Sequence, residues 1–310
     1  MDDNPLRTLD CQNKDNTWYD MKIVRLSGGL GNQMFQFALY TALRKRFPEE
    51  QLRIDLHGYK GYCKHRGFEL PKVFRVGYEE ATLGEIAKIA YPYPNYCSWR
   101  WLSRLLPSRK TMLREKANFA IEPEALTREG SVYYDGYWQH EEYFSDIRED
   151  ILALYRFPDF DDEQSPEAAK LALERNSCAI HIRRGDYLKD PLRKGTTSLE
   201  YPLKAIRWMK EERKPDCWFV FSDDIPLTRE CLKAVLPESQ TYFVNWNQDE
   251  RSIHDMHLMT LCKNHIIANS SFSWWGAWLC EHEDNTVVAP EVWMNRDNVC
   301  SPAAKKWIKL

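Results

Sequence analysis

Short apolar runs alternate with longer mixed stretches along most of the chain, and that alternation has the rhythm of an α/β protein. The run MKIVRL predicts a strand at 22–26. A glycine-rich turn, SGGLGNQ, follows it, then an apolar helix over 32–47 and a second strand at 52–56. Strand, glycine turn, helix and strand in that order make a βαβ unit. Residues 59–127 are less regular and carry Pro92, Pro94 and Pro107. A strand at 132–134 and a helix over 145–155 complete this part of the chain. The stretch FPDFDDEQSPEAA, 157–169, is acidic, holds two prolines and lacks apolar periodicity, so it reads as a linker.

Beyond the linker the alternation is clearer. Strands are predicted at 178–182, 218–221, 242–244, 265–268 and 286–288, with helices over 199–212, 227–235, 253–262 and 273–281. Short apolar strands separated by helices imply a parallel sheet covered on both faces. The expected organisation is a loose leader at 1–20, a Rossmann-like domain at 21–157 and a second at 170–310.

Composition narrows the function classes. With 43% hydrophobic and 29% charged residues the chain is globular rather than disordered. A formal net charge of -3 argues against bulk nucleic-acid binding, which needs a strongly positive face. No apolar run reaches the length of a membrane span, and the first twenty residues lack the apolar core of an export signal. The nine cysteines are odd in number and include no C-x-x-C pair, which fits buried thiols in a reducing, cytoplasmic setting. Cys178, Cys217 and Cys262 lie inside apolar runs.

Candidate chemistry collects where the predicted strands end. In an open parallel sheet, ligands bind outside the carboxyl ends of the strands. The second unit ends its strands in HIRRGDY (181–187), SDD (222–224), NWN (245–247) and NSSFSWW (269–275), so polar groups are expected to converge on one crevice. Arginine offers a permanently charged planar fork that suits phosphate oxygens. Arg183 and Arg184 alternate in direction, so one can meet a ligand while the other pairs with an acid such as Asp186; Arg184, nearer the loop, is favoured for the ligand. The Arg-Gly-Asp tripeptide reads poorly as an adhesion signal, because it directly follows a buried strand. The serines of NSSFSWW either cap a helix or leave its first amides to an anion. Trp274, Trp275 and Trp278 read as packing. Asp223 and Asp224 suit nucleoside hydroxyls, with turn and cap roles as the alternative.

In the first unit, SGGLGNQ permits close backbone approach to a ligand or simply a tight turn, and Asn32 and Gln33 are placed to reach substrate. DGYWQHEEYF (135–144) mixes aromatic and acidic groups suited to sugar. His254, Asp255 and His257 share a predicted helix, where core or solvated histidines are the commoner outcome than a metal site. Between 100 and 116 six Arg and Lys stand against one Glu, interleaved with apolar residues. An amphipathic helix covering the first domain is expected there, with contact to an anionic membrane surface as the alternative.

These motifs together resemble glycosyltransferase family eleven, the alpha-1,2-fucosyltransferases. The resemblance rests on SGGLGNQMFQ, HIRRGDY, FSDD and DMHLMTLCKNHIIANSSFSWWGAWL, in that order, over about residues 22–290. It implies a GT-B fold and inverting transfer of fucose from GDP-fucose, without metal or other cofactor. The implied acceptor is the 2-hydroxyl of a terminal galactose on an oligosaccharide or lipid-linked glycan. It implies that Arg184 holds the donor diphosphate, with His181, Arg183 and Asp186 around it. Asn269, Ser270, Ser271, Phe272 and Ser273 would meet the phosphates, with Gly29 and Gly31 alongside. Asp223 or Asp224 would meet the nucleoside, and Asn32 the sugar. Acceptor-side candidates are Asp135, Tyr137, Trp138, His140 and Glu141; Asp186, Glu141 and Asp135 are the carboxylates available as a base. The resemblance further implies a bacterial cytoplasmic enzyme of surface-glycan synthesis, peripheral to the membrane at most. Protein O-fucosylation and noncatalytic carbohydrate binding are the rival readings.

Overall fold

Continuous apolar runs such as MKIVR and SCAIHI become strands buried along their whole length, as parallel strands covered on both faces must be. A computed structural model describes residues 20–62, 66–117, 119–185, 187, 190–192, 196, 198–295 and 299–310. Strands β1 (Met21–Arg25), β2 (Gln51–Asp55), β3 (Met112–Arg114) and β4 (Val132–Asp135) form one sheet in the order β2-β1-β4-β3. Strands β5 (Ser177–Ile182), β6 (Cys217–Ser222), β7 (Thr241–Val244), β8 (Asn264–Ile266), β9 (Thr286–Ala289) and β10 (Ile308–Lys309) form a second, ordered β10-β9-β8-β5-β6-β7. Every pairing is parallel, so the fold is α/β with two parallel sheets, as the alternation predicts, and of the GT-B type that the resemblance implies. Strands β3 and β10 escaped sequence reading because three and two residues carry no usable period.

The helices are α1 (Leu30–Arg46), α2 (Leu70–Val73), α3 (Leu83–Ile89), α4 (Tyr96–Leu102), α5 (Arg148–Leu154), α6 (Gln164–Glu174), α7 (Glu200–Glu212), α8 (Ile225–Leu232), α9 (Ser252–Leu261) and α10 (Ser271–Trp278). Two expectations need correction. Helix α6 begins inside the stretch read as a linker. Asp162 Oδ1 accepts from the amides of Gln164 and Ser165 at 2.9 and 2.6 Å, so part of the acidity there is a helix cap. The basic stretch 100–116 is not one amphipathic helix: α4 ends at Leu102 and the chain re-enters the first sheet as β3.

The two histidines of α9 serve packing. His257 stacks between Phe157 and Phe160, with ring centroids at 4.8 and 4.4 Å, and His254 Nε2 lies 2.9 Å from Asp161. Cys178, Cys217 and Cys262 are buried free thiols, as expected.

Helix α1 is buried on nearly every side from Gln33 to Leu43, including the polar Gln33 and Gln36, as a helix enclosed by protein is. It is enclosed because its outer side meets α10. Phe35, Phe144 and Tyr155 surround Trp274 and Trp275, with Phe35 centroids 4.5 and 4.8 Å from the two indoles. The packing role expected for Trp274, Trp275 and Trp278 holds; all three are buried. A single hydrophobic cluster therefore runs from β1 and α1 through α10 to β9 and Trp307. At the seam, Trp275 Nε1 donates to Gly31 O at 3.0 Å. A Cβ at Gly31 would stand 2.7 Å from Ser271 Oγ and 2.8 Å from Ser271 backbone carbon. The backbone of Ser271 cannot swing aside as a side chain can. Gly31→Ala should therefore cost about 1–3 kcal/mol, read as a lower urea midpoint; an unchanged midpoint would show that the two helix ends separate freely.

Candidate active site

Strand order locates the site before any side chain does. In the second sheet β6 and β7 lie on one side of β5, and β8 to β10 on the other, so the order reverses between β5 and β8. Ligand crevices form outside the carboxyl ends at such a reversal. The segments leaving those two ends are HIRRGDY and NSSFSWW. Ile182 pairs with Ser222 across β5 and β6, which brings SDD to the same edge.

Asp223 organises this edge. Its Oδ1 accepts from the Arg184 amide at 2.9 Å, and its Oδ2 lies 3.3 Å from Arg183 Nε. Any Cβ at Gly185 would meet Asp223 Oδ2 at 2.7 Å, so the glycine is there to let the carboxylate in. Asp223, from the neighbouring strand, thus braces the arginine loop; Asp186, also expected in that role, lies outside the described residues. Arg183 is committed to Asp223 and sits 5.6 Å over the Tyr187 ring. Asp224 caps α8 by accepting from the Leu227 amide at 3.2 Å. Both carboxylates of SDD are therefore used by the protein itself.

His181 is buried behind the loop, its ring 5.9 Å from Phe272. Burial, and then the nearby Arg183 charge, push its pKa down to about 3, so the imidazole is neutral. Its Nδ1 is buried and has no hydrogen-bond partner among the described residues. A recess beside it is lined by Arg183, Thr196, Ser198, Tyr201 and Asn269. Thr196, Ser198 and Tyr201 were missed in the sequence. They sit in a polar run whose spacing to any strand end is unremarkable, and only the fold returns them to His181.

The serines divide their roles. Ser270 Oγ accepts from the Phe272 amide at 3.3 Å, and Ser273 Oγ is buried against Ala268 O and Ser270 O. Asn269 Nδ2 donates to Thr196 Oγ1 at 2.6 Å and to Trp293 O at 3.2 Å. Capping and bracing account for these three side chains. What α10 turns toward the crevice is Ser271 and the amide-rich first turn of a helix, a natural anion seat.

The first sheet supplies the opposing wall. Gly31 brings the start of α1 against Ser271, Gly29 is the residue from which α1 starts, and Gly28 takes φ 82°, which favours glycine. Asn32 stands at this start and accepts from Gln139 Nε2 at 2.7 Å. Gln33, expected to reach substrate, cannot. It is fully buried, donating to Gly28 O and Gly67 O and accepting from the amides of Glu69 and Leu70. The NWN segment also turns away: Trp246 and Asn247 bond to Ser165 and Asp255.

The acceptor-side candidates separate likewise. Trp138 is wholly buried between Tyr134 and Tyr143, whereas Tyr137 is exposed. His140 is half-buried and accepts from the Glu142 amide. Glu141 lies at the far end of α10, taken by Trp278 Nε1 and the Lys305 amide. Asp135 lies between Arg25 Nε at 2.7 Å and Arg114 Nε at 3.4 Å. The four strands β2, β1, β4 and β3 thus end in Asp55, Arg25, Asp135 and Arg114, an alternating row of charge across the sheet edge.

One pair in this row was not anticipated. Asp55 Oδ1 accepts from His57 Nδ1 and from the His57 amide, each at 2.9 Å, and Oδ2 accepts from Tyr133 at 2.6 Å. Burial works to raise the Asp55 pKa, but these bonds outweigh it and hold the carboxylate ionised. An ionised acceptor fixes the proton on His57 Nδ1 and leaves Nε2 as the basic nitrogen. The sequence signal was the D-x-H spacing at the end of the second strand.

A family model described as Glycosyl transferase family 11 matches residues 119–310. An alpha-1,2-colitosyltransferase of Escherichia coli is 34% identical, covering 93% of this chain and 98% of that protein. The O-antigen biosynthesis glycosyltransferase WbnK of Escherichia coli is 31% identical over 92% of this chain and 99% of its own. Galactoside alpha-(1,2)-fucosyltransferase 1 of Leontocebus fuscicollis is 26% identical over 81% of this chain and 63% of that protein. Among solved structures, the NodZ alpha-1,6-fucosyltransferase soaked with GDP-fucose covers 84% of this chain and 92% of that chain, at 16% identity and a TM-score of 0.47. That last likeness is too distant for any residue to be carried across. With the arginine loop, the serine-headed helix and the glycine turn gathered on one crevice, and with relatives matching along nearly the whole chain, this chain belongs to glycosyltransferase family 11.

Proposed function

We propose that this glycosyltransferase moves L-fucose from GDP-β-L-fucose to the 2-hydroxyl of a terminal galactoside, with inversion and without a metal, in surface-glycan synthesis. The observation that supports this most is the approach of the HIRRGDY segment to the start of α10 at the strand-order reversal, where His181 lies 5.9 Å from Phe272 and the Tyr187 hydroxyl donates to Asn269 O at 3.4 Å. A noncatalytic binder of neutral sugars has no need of such an anion seat, and a nucleoside-diphosphate sugar does.

The charges suit the chemistry. As fucose leaves, the sugar gains oxocarbenium character and negative charge grows on the diphosphate. Arg184 and the amides of α10 stabilise that growing charge more than the ground state, which is what lowers a barrier. Arg183 and Asp223 hold the loop in place. Neutral His181 contributes a ring nitrogen and no further charge. The Arg184 guanidinium and the helix start offset the diphosphate without a metal, Arg183 being spent on Asp223.

The acceptor hydroxyl must lose its proton on the opposite face. Asp135 and Glu141 are each held by partners within the protein. We assign the base to His57, aligned by Asp55 and Tyr133, with Asn32 and Gln139 positioning the sugar between. The acceptor, a galactose-terminated oligosaccharide or lipid-linked glycan, then lies on the first-sheet side.

A second donor is favoured by the relative that is named a colitosyltransferase. Colitose is L-fucose without its 3-hydroxyl, so the two donors differ by one hydrogen-bonding group.

Arg184→Ala should weaken GDP binding in calorimetry by roughly tenfold or more and lower transfer by at least about a hundredfold in EDTA-containing buffer, while the chain stays folded. Substantial activity in the variant, or a wild type that is inactive until metal is added, would sink those assignments. His57→Gln should keep GDP affinity and lower kcat by about 10²–10⁴; a change in KM alone would leave His57 a binding residue. Competing the two donors decides between them. We expect kcat/KM for GDP-fucose to exceed that for GDP-colitose by at least about tenfold, and the reverse order would make the chain a colitosyltransferase.

A further inference from the structure

The basic stretch that did not become one long helix leaves an uncovered surface. No acidic residue occurs anywhere in 86–114, while Lys88, Arg100, Arg104, Arg109, Lys110 and Arg114 do. Helix α4 divides its side chains. Its inner face packs on the carboxyl edge of the first sheet: the Arg25 guanidinium lies 4.3 Å over the Trp99 ring, Tyr96 meets Tyr62 at 4.7 Å, and the Tyr96 amide donates to Lys60 O. The other face and the turn after it are bare. Trp101 is 68% exposed, Leu102 44% and Leu105 77%, the largest concentration of exposed apolar groups among the described residues. Arg100, Arg104, Arg109 and Lys110 are exposed around them, and none of the four forms an ion pair among the described residues. The turn is held to the body by Arg109, which donates to Ala87 O at 2.8 Å and lies over the Tyr91 ring, and by the Tyr91 hydroxyl on Pro107 O.

We infer that this face docks the protein on an anionic membrane surface. Trp101, Leu102 and Leu105 enter the headgroup boundary, and Arg100, Arg104 and Lys110 meet lipid phosphates. A soluble polyanion would attract the cations but would leave a tryptophan and two leucines in water. Apolar groups ringed by cations match a charged interface that has an apolar interior. No helix among the described residues is long and apolar enough to cross a membrane, so attachment of this kind is peripheral. Because Trp99 packs directly on Arg25, the docked face lies beside the sheet edge that carries Asp55, His57 and Asp135. A glycan borne on a membrane lipid would arrive at that edge.

The test is co-sedimentation of the full chain with vesicles of phosphatidylcholine, with and without phosphatidylglycerol. The wild type should sediment with the anionic vesicles, remain in solution with the neutral ones, and release as salt is raised. Trp101→Ala/Leu105→Ala and Arg100→Glu/Arg104→Glu should each lower partitioning by about tenfold or more, with unchanged thermal midpoints and unchanged transfer to a soluble acceptor. The inference falls if the wild type ignores anionic vesicles, or if both double variants bind as the wild type does. It falls equally if sedimentation velocity shows a dimer that Trp101→Ala/Leu105→Ala abolishes, since the face would then belong to a second copy.

Discussion

The approach of two helix starts, α1 and α10, is the constraint on which the rest of the structure depends. Both helices follow strands, and both point their first turns at the same crevice. They can do so only because Gly31 has no side chain where Ser271 must pass, and because Trp275 reaches across to bond Gly31 O. Everything with chemistry in it is hung from that contact. The arginine loop reaches it through β5 and β8, the charged edge of the first sheet through β1. Without it the two sheets would each carry half a site.

Charge is disposed by a simple rule. Acids are spent on holding positive groups still, and Arg184 is the positive group left for the proposed anion. Asp223 fixes the arginine loop, Asp135 fixes Arg25, and Asp224 and Asp162 cap helices. Burial keeps His181 neutral beside the arginines, so the loop is not overcharged in the absence of ligand. The alternating row at the first sheet edge does the same on the other wall, with Asp55 free of arginine and therefore available to orient a histidine.

Much of this was legible in the sequence, and the reasons for what was not are specific. MKIVRL and CAIHI read as strands because parallel strands buried on both faces are continuous apolar runs. SGGLGNQ read as a close approach to a ligand or as a tight turn, whereas what Gly31 lets in is Ser271, some 240 positions away, and only the fold shows that. HIRRGDY and NSSFSWW read as convergent because strand ends converge. NWN failed by the same logic: β7 is an edge strand, and its end is diverted onto α6 and α9. Gln33 and Glu141 looked available because a sequence shows residue type and not occupancy. The Asp55–His57 pair was overlooked because a strand-terminal D-x-H is common and gains meaning only when Tyr133, from a strand that is distant in sequence, closes on the same carboxylate.

The shared aromatic cluster bears on how this family can be re-engineered. Exchanging the first part of the chain between relatives is an obvious route to a new acceptor if, as proposed, the acceptor lies on the first-sheet side. In this chain the cut does not fall between two finished cores. Phe35, Phe144 and Tyr155 on one side are the packing partners of Trp274, Trp275 and Trp278 on the other. A chimera therefore inherits a mismatched interior unless those six rings travel as a set. Recombination here is limited by the fit of indoles and phenyls at the seam more than by the length or sequence of the connecting segment.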